Sequence, residues 1–478
     1  MEEWVKEVVE AEKEKRKIPL EVKVLNRNYY LYHSTTRWDK KEKKVKKVTE
    51  YIGRITPKGV IEKRSKNEIR TIYEYGNSEL LFRLAQELID PLKRSFFQRW
   101  EGIIAYAIVK TIQPLPIRLI KSRWEKLHIS QCMDAALSPN TISEMLREVG
   151  KDYSAQKEFF DTLMKDSNTL VFDLSSIFSY SENLKYAELG HNADNLYLKQ
   201  INFMMFFSVD KQLPVLLKPL PGSVRDIKAI KSVMDEIDVD STVVLDRGFA
   251  SYDLPKLLRA HNFNFILPLR RNFTTINYRI KMENAFTYNG RGVKWGRRKR
   301  GRNFLYLFED VKLRSEEETT FIQLMEEGKK DRENYAEGKK DRENYAEESR
   351  KFGKIAILSN LDETGESIYT RYKERESVET AFDAMKNELE NDKTCLGDND
   401  AVREYFFISF IYLYLHYRIF KMLREKVVGK VSVCEVFLEF SKVYEITIGE
   451  KKKLSEIPKS EKLADLLELD IFPKKLRS

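Results

Sequence analysis

The stretch STVVLDRGFASY, residues 241–252, contains the pattern on which the fold depends. The run Val-Val-Leu at 243–245 contains no polar residue, which predicts a strand buried on both faces. Asp246 follows that run, and Gly248 gives the backbone room to turn. The stretch therefore places a carboxylate at the end of a buried strand. Taken alone, such an acid is more often a strand-end cap than a ligand.

A second acid has the same context nearer the N-terminus. The run Leu-Val-Phe at 170–172 ends on Asp173 and is followed by LSSIFSY. β-Branched and aromatic residues in an unbroken apolar run predict a buried strand. Burial of an unpaired carboxylate costs free energy, so we expect Asp173 to require a metal ion or another partner.

The elements between and after the two acids predict the fold class. QINFMMFFSVD at 200–210 and LPVLLKPL at 213–220 form a hairpin of two long strands, because only a short turn separates them. The segment 220–227 leads into a helix, and a second helix at 253–261 precedes a strand at 263–269. The succession β-β-β-α-β-α-β is that of a ribonuclease H-like catalytic core. We therefore expect an α/β core with a mixed sheet flanked by helices.

The stretch YTRYKERESVETAFDAMKNELE, residues 369–390, predicts one continuous helix. It contains no Gly or Pro and is rich in Glu, Lys, Arg, Ala and Met. Its apolar stripe consists of Val378, Phe382, Met385 and Leu389. At about 100° per residue, four polar residues fall in a sector of roughly 60° beside that stripe, namely Tyr372, Arg375, Glu379 and Lys386. Such an edge either holds a metal ion and phosphates or is a solvated, salt-bridged face.

The spacing Y-x2-R-x3-E-x6-K within residues 372–386 resembles the Y-R-E-K signature of the DDE transposases of the insertion-sequence-four group and its relatives. The VFDLSS block around Asp173, the PGS-x2-D block at 221–226 and the VLDRGF block around Asp246 are similar to blocks of the same family. The resemblance extends over most of the chain and is most specific in the three blocks that contain the acids.

The resemblance implies a metal-dependent site for cutting DNA. In such a site Asp173, Asp246 and Glu379 would together hold two Mg²⁺ or Mn²⁺ ions, about 3.5–4 Å apart. Oxygen ligands without His or Cys favour these hard ions over zinc. The residues expected to hold phosphates of the DNA strand are Tyr372, Arg375 and Lys386.

The resemblance also implies the reaction and the partners. Related transposases nick the DNA at the ends of their element and join the 3′-OH to target DNA, often through a hairpin on the transposon end. The expected partners are double-stranded terminal inverted repeats and target DNA, with a homodimer in the DNA complex. A catalytically retired, transposase-derived DNA-binding protein and a ribonuclease H-like nuclease without strand transfer are the alternatives.

Almost twice as many residues separate Asp246 from Glu379 as separate Asp173 from Asp246, which indicates an insertion before the last acid. By the resemblance, we expect a β-rich module at 271–352 that handles the DNA end. Its basic cluster RGVKWGRRKRGR has the composition of a phosphate-holding loop with a stacking aromatic side chain. The residues expected at the DNA are Trp295, Arg297, Arg298, Lys299 and Arg300. The module also contains GKKDRENYAE twice in tandem, at 328–347, which we interpret as a duplicated surface element.

Two regions precede the core, and we expect them to form the DNA-binding part. Residues 1–75 predict a short charged helix and a small antiparallel β region. Its segment DKKEKKVKK either contacts DNA phosphates or guards an edge strand. Residues 76–165 are mostly helical, and LSPNTISEMLREVG at 137–150 has a capped helix start that suits a helix-turn-helix reader or a bundle helix.

The remaining features limit the classes of protein to which the chain can belong. A net charge of +10 and a pI near 9.0 favour a polyanionic partner. Three widely spaced cysteines argue against a disulfide framework and a cysteine zinc site, and fit a reducing cytoplasm. The apolar run at 405–417 is shorter than the ~20 residues of a spanning helix, so we expect a buried core helix and no membrane. With the resemblance, this indicates a cytoplasmic, nucleoid-associated prokaryotic protein.

The sequence thus divides into six expected segments. They are a small β region at 1–75, a helical DNA-binding region at 76–165, the first part of the core at 166–270, the insertion at 271–352, the second part of the core at 353–430 and a helical tail at 431–478.

Overall fold

A computed structural model describes residues 2–39, 44–62, 69–179, 181, 184–190, 198–224, 226–234, 241–326, 345–388, 393–394, 398–426, 431–455 and 457–473. The chain divides into two compact units. The N-terminal unit contains Met1–Tyr73, Glu445–Ser455 and Lys474–Ser478, and the main unit contains Glu74–Tyr444 and Glu456–Pro473. The boundaries of the six expected segments stay a prediction.

The N-terminal unit packs one helix on a four-stranded antiparallel sheet. Its elements are α1 (Glu3–Arg16), β1 (Leu20–Leu25), β2 (Asn28–Asp39), β3 (Lys44–Thr56) and β4 (Gly59–Glu62), and the strands pair in that order. Val5 and Val9 of the helix are buried against Leu31 and Ile55 of the sheet. The charged helix and the antiparallel sheet are therefore present as predicted.

A second sheet is formed by β5 (Ile69–Glu74) and a hairpin of β17 (Tyr444–Ile448) and β18 (Lys451–Leu454), in the order β18-β17-β5. The prediction of a purely helical tail at 431–478 was wrong at this hairpin. Glu445 is only 2% exposed and accepts a hydrogen bond from Lys452 Nζ at 2.9 Å. Because a paired acid occupies a buried position of the strand, the apolar alternation that would have predicted β17 is interrupted.

The main unit is built on one mixed sheet of eleven strands, in the order β12-β13-β14-β15-β11-β10-β6-β8-β7, with β9 also paired to β8 and β16 to β6. The strands are β6 (Thr169–Ser179), β7 (Glu188–Leu189), β8 (Lys199–Ser208), β9 (Leu213–Pro221), β10 (Thr242–Val244), β11 (Asn264–Pro268), β12 (Asn284–Tyr288), β13 (Arg291–Arg300), β14 (Asn303–Asp310), β15 (Lys354–Ser359) and β16 (Lys393–Thr394). β6, β10 and β11 are parallel, whereas β8 is antiparallel to both β6 and β9.

Helices flank this sheet, so the predicted α/β class with a mixed sheet between helices is confirmed. The helices of the main unit are α2 (Gly76–Ser95), α3 (Trp100–Ile112), α4 (Ile117–Trp124), α5 (Pro139–Lys151), α6 (Tyr153–Met164), α7 (Asp226–Met234), α8 (Leu254–Ala260), α9 (Val311–Glu326), α10 (Gly365–Lys373), α11 (Glu376–Asp383), α12 (Asn399–Glu425), α13 (Val433–Phe440) and α14 (Pro458–Leu466).

Helix α12 forms the buried layer behind the hairpin strands. It packs against β9, α3 and α5, and its Phe406 and Phe410 side chains are fully buried. Within the described part of the chain it is the one single helix that is long and apolar enough to cross a membrane, and 78% of its apolar window is buried inside the protein. The prediction of a buried core helix is confirmed.

The capped helix predicted at 137–150 is α5. The Ser138 hydroxyl accepts a hydrogen bond from the Thr141 amide at 3.2 Å, which satisfies one of the unpaired N–H groups of the first turn. Its apolar residues Ile142 and Met145 are buried, and the helix packs against α12. The structure therefore gives α5 the packing of a bundle helix, and its role as a DNA reader stays a prediction.

The insertion is rich in β-structure, as expected, but its strands continue the core sheet. β14 pairs with β15, and β15 is antiparallel to the core strand β11. Because β15 also returns the chain to the core, the insertion and the core share one hydrogen-bonded sheet. Of the tandem repeat at 328–347, all but the last three residues lie outside the described residues.

Candidate active site

The register of two parallel strands brings Asp173 and Asp246 together. Thr169 of β6 lies opposite Thr242 of β10, and the pairing continues to the last residue of β10. Continued by two more positions, the same register sets Asp173 opposite Asp246. Adjacent strands lie about 4.8 Å apart, and the two positions have the same parity along their strands. The two acids that the apolar runs predicted therefore lie side by side, Asp173 within β6 and Asp246 two residues beyond the end of β10.

The Asp173 carboxyl lies in a partly desolvated position. Its Oδ1 atom accepts a hydrogen bond from the Leu174 amide at 2.8 Å. Burial raises the pKa of Asp173 to about 7, and the carboxylate of Asp246 adds to this shift, whereas the Leu174 amide and the Arg375 guanidinium oppose it. A buried carboxyl that is difficult to ionise gains from a nearby positive charge.

The Asp246 carboxyl is fixed by the turn that follows β10. Its Oδ2 atom accepts a hydrogen bond from the Gly248 amide at 3.1 Å and caps a short 3₁₀ turn, Arg247–Phe249. Arg270 Nη2 donates to the Gly248 carbonyl at 2.7 Å, so a second strand end holds the same turn. Arg270 was missed by sequence reasoning, although its position directly beyond the strand that neighbours Asp246 was a usable signal.

The prediction of one continuous helix at 369–390 was wrong. The chain forms α10, a turn at Glu374 and Arg375, α11, and then a π-helical turn at Ala384–Glu388. Residues 389–390, and with them Leu389 of the apolar stripe, lie outside the described residues. No Gly or Pro marks the break, because it arises from tertiary packing, which overrides local helix propensity.

The two helices on either side of the break pack on different partners. Tyr369 of α10 is buried between Phe286 and Phe308, with ring centroids 5.5 and 5.0 Å away, both on insertion strands. Helix α11 packs on β6 and β8, where Phe382 contacts Phe203 edge to face. Each helix follows its own binding surface, and the turn between them takes up the difference.

Arg375 stands in that turn and joins the strand acid to the helix acid. Its Nη1 atom lies 3.0 Å from Asp246 Oδ1 and 2.5 Å from Glu379 Oε1. Because both distances share one nitrogen, the two carboxylate oxygens cannot be farther apart than the two distances added together. Burial lowers the pKa of Arg375, but Asp246, Glu379, Tyr372 and Asp173 outweigh it and raise the pKa. All three candidate acids thus act on one guanidinium.

These residues fit a divalent ion in chemistry but not yet in arrangement. All three acids offer carboxylate oxygens, which Mg²⁺ and Mn²⁺ prefer, and Asp173 is a buried acid that requires positive charge. Within the residues that the structure describes, however, no group of three or more His, Cys, Asp or Glu side chains is positioned to hold a metal ion. Arg375 holds the cationic position between Asp246 and Glu379.

The other two residues of the predicted edge lie on different helical segments. Tyr372 is 7% exposed near the end of α10 and is close enough to Arg375 to contribute to the raised pKa of that guanidinium. Lys386 lies in the π-helical turn, with Nζ 5.9 Å from the centroid of the Phe203 ring. Because the helix is broken between them, the predicted single edge does not form, and their contact with phosphate stays a prediction.

The insertion residues expected at the DNA first of all position α10. The Trp295 ring lies against Gly365 at the start of that helix, so closely that a Cβ atom there would overlap the ring. Arg297 pairs with Asp362 and donates to the Glu363 carbonyl at 3.1 Å. Trp295 and Arg297 therefore hold the N-terminus of α10, a role that sequence reasoning missed, and their contact with DNA stays a prediction.

The remaining basic residues of β13 lie at the surface. Arg298, Lys299 and Arg300 are exposed in consecutive positions. Arg300 Nη1 donates to the Thr275 carbonyl at 2.8 Å, and Lys299 Nζ lies 5.7 Å from the centroid of the Phe304 ring. Positive charge is thus presented to solvent at the end of this strand.

No curated protein matches the chain. Among solved structures, the piggyBac transposase in a synaptic complex with hairpin DNA, determined by cryo-EM, is similar with a TM-score of 0.39 and 12% sequence identity, over 84% of this chain and 86% of that one. A family model described as a transposase DDE domain matches residues 166–415, which is more than half of the chain and contains all three candidate acids. The chain belongs to the family of transposases with a DDE domain.

Proposed function

We propose that this transposase binds the ends of its own insertion sequence, cleaves them by metal-dependent phosphodiester hydrolysis and joins the 3′-OH ends to target DNA. The observation that carries the proposal is the meeting of Asp246 and Glu379 on one guanidinium, with Asp173 in register beside Asp246. These acids come from distant parts of the sequence, and all of them lie in the segment that matches the family. Membership of the insertion-sequence-four group, with its Y-R-E-K signature, is part of the proposal.

The proposed core is ribonuclease H-like. The support is the strand order β9-β8-β6-β10-β11, in which only β8 is antiparallel to its neighbours in the core. In this topology β6 and β10 are parallel neighbours, and Asp173 within β6 lies beside Asp246, which follows the carboxyl end of β10. The fold thus gives a reason for the position of both acids.

The residues that would hold two divalent ions are Asp173, Asp246 and Glu379. When bound, Mg²⁺ or Mn²⁺ would activate the attacking hydroxyl and stabilise the leaving 3′ oxygen. Arg375 carries a planar fork of donors that suits a phosphate as well as a carboxylate. In the proposed complex Arg375 and Lys386 bind phosphates beside the scissile bond, and Tyr372 donates a hydrogen bond to the same strand.

The proposed partner is double-stranded DNA, as terminal repeats and as target. The net charge of +10 and the exposed cations Arg298, Lys299 and Arg300 support a polyanionic partner. A homodimer in the DNA complex is part of the proposal, since two DNA ends have to be joined to one target. A nucleoid-associated, cytoplasmic location completes the proposal.

The test uses supercoiled plasmid that carries the reading frame with its natural flanking DNA, incubated with the full chain and Mg²⁺ or Mn²⁺. Asp246→Asn should reduce nicking on the order of a thousand-fold or more, because it removes a ligand of the divalent ions that would stabilise the reacting phosphate, and should leave DNA binding nearly intact. Asp253→Asn is the matched control, since Asp253 has a side chain that is 90% exposed seven residues further along.

Three outcomes separate the proposal from its alternatives. Nicking followed by joined products supports a transposase, whereas nicking without joined products supports a nuclease. Metal-independent DNA binding without nicking in the wild-type chain would indicate a retired transposase. Loss of folding and binding together in Asp246→Asn would make that residue structural.

A further inference from the structure

The hairpin of β2 and β3 extends well beyond the sheet of the N-terminal unit. β1 ends its pairing with β2 at His33, and β4 ends its pairing with β3 at Gly53. From Thr35↔Val48 to Asp39↔Lys44 the two strands pair only with each other. These residues, 35–39 and 44–48, are called the ribbon arm. At about 3.4 Å per residue, the arm reaches roughly 15 Å past the sheet.

The ribbon arm is basic and open to solvent. Every described side chain at 35–38 and 44–48 is exposed. Four of these nine side chains carry positive charge, and none is acidic: the cations are Arg37, Lys44, Lys46 and Lys47. Asp39 is the single acid of the paired segment. A polyanion that approaches the arm therefore meets positive charge on both strands, and at Lys47 it competes with Glu21 of β1, whose carboxylate lies 2.7 Å from Nζ.

The arm also contains features that would be unfavourable in water alone. Arg37 lies directly opposite Lys46, and like charges at paired positions destabilise a ladder. Trp38 and Val45 form the next pair and are 57% and 60% exposed. A two-stranded ribbon without a packed face is only marginally stable in water. Each of these costs is relieved when phosphates neutralise the cations and a surface covers the apolar pair.

We propose that the ribbon arm inserts into a groove of duplex DNA, with its four cations on the phosphate backbone and the Trp38–Val45 pair against the groove. A two-stranded ribbon fits the major groove, which is about 12 Å wide. This inference rests on the proposed function, because it takes DNA as the partner, and it adds the surface that holds the duplex outside the cleavage site.

The alternative interpretation of the same lysines is that they guard strand edges against pairing with other chains. That interpretation accounts for the cations but leaves the exposed Trp38–Val45 pair without a purpose, since a guarded edge avoids apolar side chains. The face that carries Trp38 also continues into Tyr32 and Tyr51 on the sheet, whose ring centroids lie 5.3 Å apart. Side chains alternate between the two faces of a ribbon, so Lys47 shares this aromatic face, whereas Arg37, Lys44 and Lys46 lie on the opposite face, from which long side chains can reach the phosphates at the groove walls. Aromatic and basic side chains in one element are typical of a nucleic-acid interface.

The first experiment measures how binding of the full chain to a labelled duplex of roughly 40 base pairs, about four turns of B-DNA, depends on salt. The arm variant carries Arg37→Thr, Lys44→Thr, Lys46→Thr and Lys47→Thr, because threonine retains strand propensity. Its affinity should fall at least about ten-fold, and the slope of log K against log salt should flatten by roughly three to four. The control variant removes the same charge from the same unit with Lys6→Gln, Lys13→Gln, Lys15→Gln and Lys58→Gln, and should change little.

The second experiment does not depend on the folding of any variant. Lysines of the wild-type chain are acetylated with and without the duplex and quantified by mass spectrometry. Lys44, Lys46 and Lys47 should be protected, whereas Lys6, Lys13 and Lys15 should remain reactive. Equal labelling of the arm in both samples, while the duplex is bound, would overturn the proposal for the arm alone.

The outcomes also separate the arm from the proposed function. If the wild-type chain binds the duplex and the arm variant binds it with the same affinity and salt dependence, the proposal for the arm is wrong and the transposase proposal stands. Tighter binding of a single-stranded oligonucleotide of the same sequence would overturn the assignment to a duplex groove. Absence of binding to any duplex, including the plasmid with its natural flanking DNA, would overturn both proposals.

Discussion

The two halves of the candidate active site are held in very different ways. Asp173 lies within β6 and Asp246 follows the neighbouring parallel strand β10, and the hydrogen-bonded register fixes one against the other. Glu379 sits on a helix of eight residues between a turn and a π-helical turn, and its side chain is 49% exposed. Moving a strand acid means breaking a sheet, whereas moving Glu379 means shifting one short helix. The strand half is therefore rigid, and the helix half is the part that can adjust.

This difference explains why the described residues do not form a complete group of metal ligands at this site. Arg375 bridges the two halves through Asp246 and Glu379. The guanidinium pairs with both carboxylates, and burial raises the pKa of Asp173 beside them to about 7 although Arg375 opposes this shift. We expect the helix half to rearrange when ions and DNA compete for these groups, while the strand half remains in place.

The largest effect in this comparison should come from removal of one acid from each half. Without DNA, Asp173→Asn should weaken Mn²⁺ binding by at least roughly 100-fold, the upper end of what loss of an outer-shell partner costs, because it breaks the rigid pair. Glu379→Gln should weaken Mn²⁺ binding only about ten-fold, since Glu379 of the wild-type chain is already engaged with Arg375. Isothermal titration of the purified chains measures both values. Equal losses in the two variants would contradict the distinction between a rigid and an adjustable half.

The next effect concerns how the insertion anchors the helix half. Gly365→Ala should lower the free energy of unfolding by about 1–3 kcal/mol, because the added methyl group would overlap the Trp295 ring. Urea unfolding measures the loss. In the double variant with Trp295→Leu, the cost of the alanine should largely disappear, which a double-mutant cycle detects.

Gly292→Ala, on the strand that carries Trp295, is the matched control, because the nearest atom to its new methyl group, Val311 Cγ2, would be 3.9 Å away. It should change the stability by less than about 0.5 kcal/mol. A full penalty for Gly365→Ala in the presence of Trp295→Leu would mean that the tryptophan does not position α10. Trp295 would then be available for the DNA contact that the sequence suggested.

A smaller effect is expected from the bridge itself. Arg375→Ala removes the cation that competes for Asp246 and Glu379, so Mn²⁺ should bind about ten-fold more tightly, a gain of about 1.4 kcal/mol. Cleavage of the plasmid should nevertheless fall, because the phosphate contact is lost as well. Manganese binding followed by electron paramagnetic resonance separates the two effects. Weaker ion binding together with weaker cleavage would make Arg375 a support for the acids rather than a competitor.

The strand half was predictable from the sequence and the helix half was not. Unbroken apolar runs ending on Asp173 and Asp246 specify buried parallel strands, and the local pattern contains all of that information. The break at Arg375 has no local signal, since it results from contacts between Tyr369 and insertion strands far away in the chain. The Trp295–Gly365 contact is equally non-local. Local patterns thus predict the strands, whereas tertiary contacts determine where Arg375 lies.

The smallest expected effect is on stability, and it comes from a buried acid outside the candidate active site. Burial, with a contribution from Asp398, raises the pKa of Glu404 on α12 to about 7, similar to that of Asp173, and Tyr106 of α3 faces it. A carboxyl whose pKa is raised by folding holds its proton more tightly in the native state, so stability falls as the pH rises between about 4.5 and 7.

Glu404→Gln should therefore be more stable than wild type above pH 7, on the order of 1 kcal/mol, and equal to it near pH 4. Thermal melts across this range, with the exposed Glu144→Gln as control, measure the difference. Since neither Arg375 nor a strand acid contributes to the raised pKa of Glu404, its replacement should leave plasmid cleavage unchanged. Loss of cleavage would mean that a raised carboxyl pKa, rather than the meeting of acids on Arg375, marks the functional site.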